Sequence, residues 1–440
     1  MEKKGHFVVN DINGIALSVA LSYRKKKSKY ILITNNLYNA QKLCNLLANF
    51  LSDETISLFP NDELIRAEGI AQSKEMVAQR LFVLDQILNN QTNIVVTNVA
   101  GACRYLPDPD IFKDKIFNFK VGISYDIQQI KKDLVKNGYL LVNKVDQSLQ
   151  FAVRGDILDI YSVNNDYPVR IEFFGDEVES IRYFDLASQI SIEKIDQITI
   201  MPASDMILSS EDLKKATDRI LEVLSKEQEI HDQGTFERLR DNTLEDLSLI
   251  LEGQLNSRLY KYYSLVTLRH FSIFDYCQDY TKILIDFDSI NTANKMFLEE
   301  CFDYLLEQQK EGKLISRLNL YQNINTLVDL NGENVIHTTS LVTNPNDAWL
   351  DVKSVPYKAS KNTDAINIIQ NYLNDGYDIV ISLNNHSHID LIEEALTSLN
   401  IGFEKVVDFQ LPKSNKIGIR IETLNSGFVL PSEKIVYLCG

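Results

Sequence analysis

The chain has 440 residues, of which 45% are hydrophobic and 24% are charged, and its formal net charge is −16. This length exceeds one ordinary hydrophobic core and predicts two to four domains, while the composition is that of a globular protein. The acidic balance disfavours a general nucleic-acid-binding role, and no apolar run reaches the roughly 18 residues of a membrane span.

The N-terminal sequence MEKKGHFVVN has no apolar signal core, so we expect a cytoplasmic protein. The first 115 residues then alternate apolar strands with amphipathic helices. This alternation is typical of a parallel sheet with helices on both faces. We expect strands at 6–10, 30–34, 55–59 and 93–97, and helices at 14–24, 38–51 and 74–89, the last capped by Ser73.

The loop after the first strand is where a P-loop fold would bind nucleotide. Such a loop needs several glycines for the phosphates, followed by Lys and Ser or Thr. Residues 10–20 read NDINGIALSVA, which retains Gly14, lacks the Gly-Lys-Ser/Thr sequence and adds Asp11, whose charge would repel phosphate. The sequence therefore predicts a degenerate nucleotide site, no catalytic residues and no cofactor in this chain.

The cysteines and histidines do not have metal-site spacing. No CxxC pair occurs, and His386 and His388 are the one close histidine pair, so we expect no metal site. The five cysteines are expected to be small buried residues: Cys44, Cys103, Cys277, Cys301 and Cys439. The basic run at 25–29 is interpreted as a solvated helix end, with contact to a nucleic-acid backbone as the alternative.

Residues 151–203 are predicted to be a series of short strands. Gly155-Asp156 forms a tight turn or a glycine bulge, and Gly175-Asp176 joins strands 169–174 and 177–184 in a two-residue hairpin. With a period of two, Val169, Ile171 and Phe173 face a core, whereas Arg170, Glu172 and Phe174 face solvent.

An aromatic side chain beside an arginine on a solvated sheet face is typical of a binding hot spot. Arg170 and Phe174 are therefore candidate binding residues. The alternative is that a neighbouring loop partly covers Phe174, since single exposed apolar residues are ordinary.

The rest of the chain predicts further helices and a third α/β unit. Helices are expected at 209–226, 236–251, 289–309, 363–374 and 387–399, and strands at 283–286, 335–339, 378–382 and 434–438. Asn331-Gly332 marks a turn, where we place a boundary. The predicted domains are a discontinuous α/β domain (1–115 and 204–330), an inserted α+β domain (116–203) and a third α/β domain (331–440) without a recognisable chemical motif.

Several long motifs resemble known repair proteins. VRGDILDIYS, VRIEFFGDEVESIRYFD and MPASD resemble the module shared by the excision-repair helicase UvrB and the transcription-repair coupling factors. LFPNDELIRAEGIAQSKEMVAQRL, VVTNVAGACRYLPDP and GFVLPSEKIVYLCG resemble the coupling factors specifically, as does the lost phosphate loop. The resemblance covers nearly the whole chain and is strongest over residues 55–205.

The resemblance implies a multidomain fold with a degenerate helicase-like α/β domain. It also implies a non-catalytic role, in which the inserted domain recruits the excision-repair protein UvrA to RNA polymerase stalled at DNA lesions. The family's interface residues fall on Arg154, Arg170 and Phe174.

By the same resemblance, we expect the chain to be part of a longer protein. ATP, magnesium and contacts with DNA and RNA polymerase are expected in a C-terminal motor, and the C-terminal region is expected to cover the UvrA surface. An ATP-dependent helicase or translocase and a weak DNA-binding module are the alternative functions, and no membrane partner is expected.

Overall fold

A computed structural model of the chain describes residues 6–8, 12–62, 74–252, 257–266, 269–339, 348–349, 352–355, 362–383, 386–407, 411–413, 416–421 and 427–439. Asp11 and Ser73, which carried predictions above, lie outside these residues. The described part forms a multidomain α/β protein with three large sheets. Within it, no helix is long and apolar enough to cross a lipid bilayer.

The first region alternates strands and helices as predicted. Its elements are β1 (His6–Val8), α1 (Ile12–Lys26), β2 (Tyr30–Thr34), α2 (Leu37–Phe50), β3 (Ile56–Phe59), α3 (Lys74–Leu88), β4 (Ile94–Asn98), α4 (Val99–Ala102) and α5 (Pro109–Asp114). The sequences YILIT and IVVTN make β2 and β4 buried along their whole length, as expected for central parallel strands. Leu32 packs into one core and Ile31 into another, so helices cover both faces of this sheet.

The second region contains mainly antiparallel strands. Its elements are β5 (Phe117–Lys120), α6 (Ile127–Lys136), β6 (Leu140–Leu141), β7 (Gln150–Arg154), β8 (Ile157–Tyr161), β9 (Val169–Phe174), β10 (Glu177–Phe184), β11 (Ser191–Ile195) and β12 (Gln197–Ile200). The second sheet has the order β11-β10-β9-β8-β7-β6, and β5 pairs with β12 separately. Helix α6 packs Ile130 and Leu134 into the core of this region.

The third region is mostly helical. Its elements are α7 (Ser210–Glu227), α8 (Gln233–Leu251), α9 (Tyr263–Val266), α10 (Ile273–Tyr276), β13 (Thr281–Leu284), α11 (Phe287–Lys310) and α12 (Ile324–Leu330). Asp205 joins this region to the first one, because it lies between Arg80 and Arg104 at 2.9 Å from each Nε. All three side chains are buried, and the two guanidinium groups hold the pKa of the Asp205 carboxyl well below its usual value against the opposing effect of burial.

The last region contributes strands to two different sheets. Its elements are β14 (Val335–Thr339), β15 (Ala348–Trp349), β16 (Lys353–Val355), α13 (Asn362–Asn374), β17 (Asp378–Leu383), α14 (His386–Ser398), β18 (Gly402–Lys405), β19 (Lys416–Ile421), β20 (Gly427–Leu430) and β21 (Ile435–Cys439). The third sheet is mixed, with the order β16-β20-β21-β17-β19-β18.

The assignment of residues 335–339 to the third domain is wrong. Strand β14 lies in the first sheet, whose order is β15-β1-β14-β13-β2-β4-β3, and it pairs in parallel with β13 and β1. Val335 and Ile336 are buried on opposite faces of that sheet, as expected for a parallel strand that is covered on both sides. The predicted boundary at 331 is therefore a connection within the first sheet.

The third sheet packs against helices α1 and α2 of the first region. The ring of Phe50 lies 6.2 Å from the ring of Phe428 and 6.0 Å from that of Tyr437, both at edge-to-face angles. Buried Arg420 donates from Nη2 to the carbonyl oxygen of Asn49 at 2.6 Å. These contacts make one continuous hydrophobic core from the two regions.

Candidate protein-binding surface

The hairpin of β9 and β10 has the predicted strands, turn and alternation. Phe174 is opposite Glu177, and Gly175 in the turn has φ +64°, a conformation that glycine adopts without a side-chain clash. Val169, Ile171 and Phe173 are buried, whereas 80% of Phe174 is exposed. The prediction that Phe174 lies on a solvated face is confirmed, and no neighbouring loop covers it among the described residues.

The two predicted turns lie side by side at one end of the second sheet. The backbone N–H of Phe173 donates to the carbonyl oxygen of Asp156 at 2.9 Å, which joins the β9–β10 hairpin to the turn between β7 and β8. Gly155 has φ +60°, and a Cβ added at Gly155 or Gly175 would meet open space. This end of the sheet therefore presents two accessible turns with Phe174 beside them.

A buried carboxylate brings the two predicted arginines together. Asp159 on β8 is opposite Arg170 on β9 and is only 1% exposed. It accepts hydrogen bonds from Arg170 Nε at 2.7 Å and Nη2 at 2.8 Å, and from Arg154 Nη2 at 3.2 Å. Arg154, Asp159 and Arg170 thus form a ladder across three strands, with the Arg154 side chain 55% exposed.

Arg170 has contacts within the chain that the sequence did not reveal. Its guanidinium lies 4.6 Å from the ring centre of Phe184, and the hydrogen bond to Asp159 raises its pKa. A guanidinium fork suits a carboxylate, and in this chain Asp159 already takes that position on Arg170. The assignment of Arg154, Arg170 and Phe174 to a partner interface stays a prediction.

Sequence reasoning missed a second charged group on the same face. Glu172 accepts a hydrogen bond from Ser180 Oγ at 2.7 Å and pairs with the guanidinium of Arg182. Part of the signal was available, because alternation puts Glu172 on the same face as Phe174. Its pairing with Ser180 was not predictable, because it depends on a register shift between Val178 and Ser180. We call the side of the second sheet that carries Arg154, Asp159, Arg170, Glu172, Phe174 and Arg182 the charged face.

The region of the predicted degenerate nucleotide loop is occupied by an apolar contact. Gly14 lies in the first turn of α1, and a Cβ added there would stand 2.4 Å from Cγ2 of buried Val352. Among the described residues, no group of three or more His, Cys, Asp or Glu side chains could hold a metal ion. The five cysteines are free and buried, as predicted.

The basic run at the end of α1 forms intramolecular ion pairs. Lys27 pairs with Glu54, and Lys29 Nζ lies 2.8 Å from Asp279 Oδ2 and 2.8 Å from Asn90 Oδ1. These acidic partners reduce the positive charge that a nucleic-acid backbone would meet. The alternative of DNA contact at residues 25–29 gains no support from this geometry.

Residues 117–206 match the family described as the UvrB interaction domain. The match includes the charged face and both glycine turns. The fold and the match together define the chain as a multidomain α/β protein that carries a UvrB interaction domain.

Comparison with curated proteins identifies the chain as a homologue of the transcription-repair-coupling factors, corresponding to their N-terminal region. It is 34% identical to the factor of Bacillus subtilis (strain 168) over 314 residues, which cover 70% of the chain and 27% of that relative. It is 25% identical over 441 residues to a factor of Staphylococcus epidermidis, and 23% identical over 430 residues to a factor of Staphylococcus aureus. Each of these two matches covers 96% of the chain and 36% of the relative. The chain thus spans about a third of the length of these relatives.

Proposed function

We propose that the chain serves transcription-coupled DNA repair by recruiting the excision-repair protein UvrA through the charged face. The observation that carries this proposal is Phe174, an aromatic side chain left 80% exposed inside the segment that matches the UvrB interaction domain. An exposed aromatic side chain beside an arginine on a solvated sheet face has the features of a binding hot spot, and its position inside the matched segment favours that role over an ordinary exposed apolar residue.

The proposed roles of the three residues differ. Phe174 would bury its ring against UvrA, because it has the largest exposed area among them. Arg154 would meet a carboxylate of UvrA, since more than half of its side chain is exposed and only Nη2 bonds Asp159. Arg170 would act mainly by holding Asp159, and through it Arg154, in a fixed position.

The proposal includes no reaction in this part of the protein. The contact between Gly14 and Val352 supports this, since glycines in a phosphate-binding loop serve to bring backbone N–H groups close to the phosphates. We assign ATP and magnesium binding, and contacts with DNA and RNA polymerase, to a motor region outside these residues. An intramolecular contact that covers the charged face belongs to the same proposal.

The test is a calorimetric titration of the chain with purified UvrA, with Phe174→Ala alongside. Burying most of this ring at about 25 cal/mol per Å² corresponds to about 2–3 kcal/mol, or roughly a 30- to 150-fold weaker Kd in the variant. Phe302→Ala is a matched control, because Phe302 is also well exposed but lies on α11, outside the charged face.

The proposal requires saturable binding by the unmodified chain and by Phe302→Ala, and weaker binding by Phe174→Ala. If the folded chain does not bind UvrA, recruitment through these residues is wrong. If the chain binds and Phe174→Ala binds equally well, UvrA is a partner but the charged face is not its site.

A further inference from the structure

Helix α11, which is distant in sequence from the charged face, carries a row of apolar side chains next to a row of acidic ones. Residues four apart on a helix lie on one side of it. One such row is apolar and consists of Leu298, Phe302 and Leu306, of which Phe302 is 64% exposed. The adjacent row is acidic and exposed: Glu299, Asp303 and Glu307.

Two members of the apolar row, Leu298 and Phe302, line a groove beside the helix. A cleft of about 720 Å³ lies between α11 and the start of α12, lined by Leu298 and Phe302. Its polar lining consists of Lys295, Glu299, Asp303, Asn291, Asn294, Asn323 and Asn325. A second cleft of about 410 Å³ shares Leu298 and Phe302 with it and extends over buried Cys301. Leu298, Phe302 and Asn323 line both clefts, and we call the two clefts together the α11 groove.

Buried contacts fix the walls of the α11 groove. Asn294 is buried on α11, and its Oδ1 accepts a hydrogen bond from the backbone N–H of Ile324 at the start of α12 at 3.2 Å. Its Nδ2 lies 3.7 Å from the sulfur of Cys103, which follows α4. A groove held in this way is formed before a ligand arrives, so binding would lose little conformational entropy.

The charge of the groove excludes several kinds of occupant. Between positions 299 and 307 the helix carries four acidic residues and no basic one, and Lys295 lies 3.9 Å from Glu299. Nucleic acid and anionic lipid would be repelled, and so would a second copy of a chain with a net charge of −16. A basic partner would be attracted.

We propose that the α11 groove binds a basic amphipathic helix of a partner protein. Apolar side chains of that helix would pack on Leu298, Phe302 and Leu306, and its lysine or arginine side chains would face the acidic row. This is the helix-in-groove mode of recognition, in which apolar residues at i and i+4 enter a hydrophobic groove. The site lies outside residues 117–206 and does not depend on UvrA binding.

The probe is a fluorescein-labelled peptide of leucine and lysine, about 14 residues long, with an apolar stripe at i and i+4. Fluorescence anisotropy would measure its affinity for the chain, for Phe302→Ala and for the double variant Glu299→Gln with Asp303→Asn. Phe174→Ala is the matched control, since it removes a phenyl ring elsewhere that is even more exposed than that of Phe302. A peptide with glutamate in place of lysine tests the charge requirement.

We expect saturable binding of the lysine peptide and no binding of the glutamate peptide. Phe302→Ala should weaken binding at least about tenfold without any change in charge, as loss of a central aromatic does, whereas Phe174→Ala should not. The double variant should weaken binding and reduce its dependence on salt. Absent binding by the unmodified chain, or equal affinities for the chain and Phe302→Ala, would overturn the proposal.

Discussion

Replacing Arg170 by alanine should destabilise the second sheet far more than replacing Arg154. Asp159 is 1% exposed and receives its two shortest hydrogen bonds from Arg170. Without Arg170, this buried carboxylate keeps only the bond of 3.2 Å from Arg154. Removing one partner of a buried ion pair costs about 3–5 kcal/mol, whereas removing a solvent-exposed partner costs about 0–1 kcal/mol.

Amide hydrogen exchange in β8 and β9 measures this difference, because it reports the opening free energy of the sheet itself in a multidomain chain. We expect faster exchange in Arg170→Ala than in Arg154→Ala, and partial recovery when Asp159→Ala is added to Arg170→Ala, since the unpaired charge is then gone. Equal exchange rates in the two arginine variants would refute the conclusion that Arg170 stabilises buried Asp159 more than Arg154 does. The same result decides which arginine variant is suitable for a UvrA titration. Weaker UvrA binding by Arg170→Ala could come from the lost stability of the sheet as well as from a lost contact with UvrA.

Three further substitutions test other parts of the fold. Burial raises the pKa of Asp85 to about 6, above its unfolded value, so its contribution to stability falls as pH rises through 6. Asp85→Asn should therefore stabilise the chain by up to about 3 kcal/mol at pH 8 and should not stabilise it at pH 4. Urea titrations at both pH values would measure this difference. Gly14→Ala should lower the melting temperature, because its Cβ would stand 2.4 Å from Val352 and overpacking costs about 1–3 kcal/mol. Adding Val352→Ala should recover part of this loss. An unchanged melting temperature in Gly14→Ala would contradict the contact. Gly175→Ala should cost about 1 kcal/mol in hydrogen-exchange stability of the β9–β10 hairpin, because φ is +64° there, and an unaffected hairpin would be inconsistent with that conformation.

The sequence predicted the ends of β9 and β10 and the two faces of β9, because the signals for these features are local. A Gly-Asp turn between two alternating strands sets the ends of the hairpin, but the register shifts between Val178 and Ser180, and the sequence did not predict that shift. The role of Asp159 was not predictable in this way. It depends on the pairing of β8 with β9 across a loop of seven residues, 162–168, whose length does not fix the register.

The error at β14 has a different physical cause. The sequence of β14, VIHTT, predicts a strand, but a short strand pattern does not specify which sheet the strand joins. The packing of Phe50 on Phe428 was equally hidden, because aromatic contacts between regions distant in sequence leave no periodic signal. Pattern and turn chemistry thus predicted the helices and strands, but not the contacts between regions that are distant in sequence.

The position of β1 has a consequence for biosynthesis. Its His6 pairs with His337, a residue that leaves the ribosome about 330 residues later. At about 5–20 residues per second, the first strand waits roughly 15–65 s for its neighbours, β14 and β15. The second sheet, whose strands all lie within residues 140–195, needs no such delay. The UvrB interaction domain can therefore complete its sheet while β1, made long before it, still lacks both of its neighbouring strands.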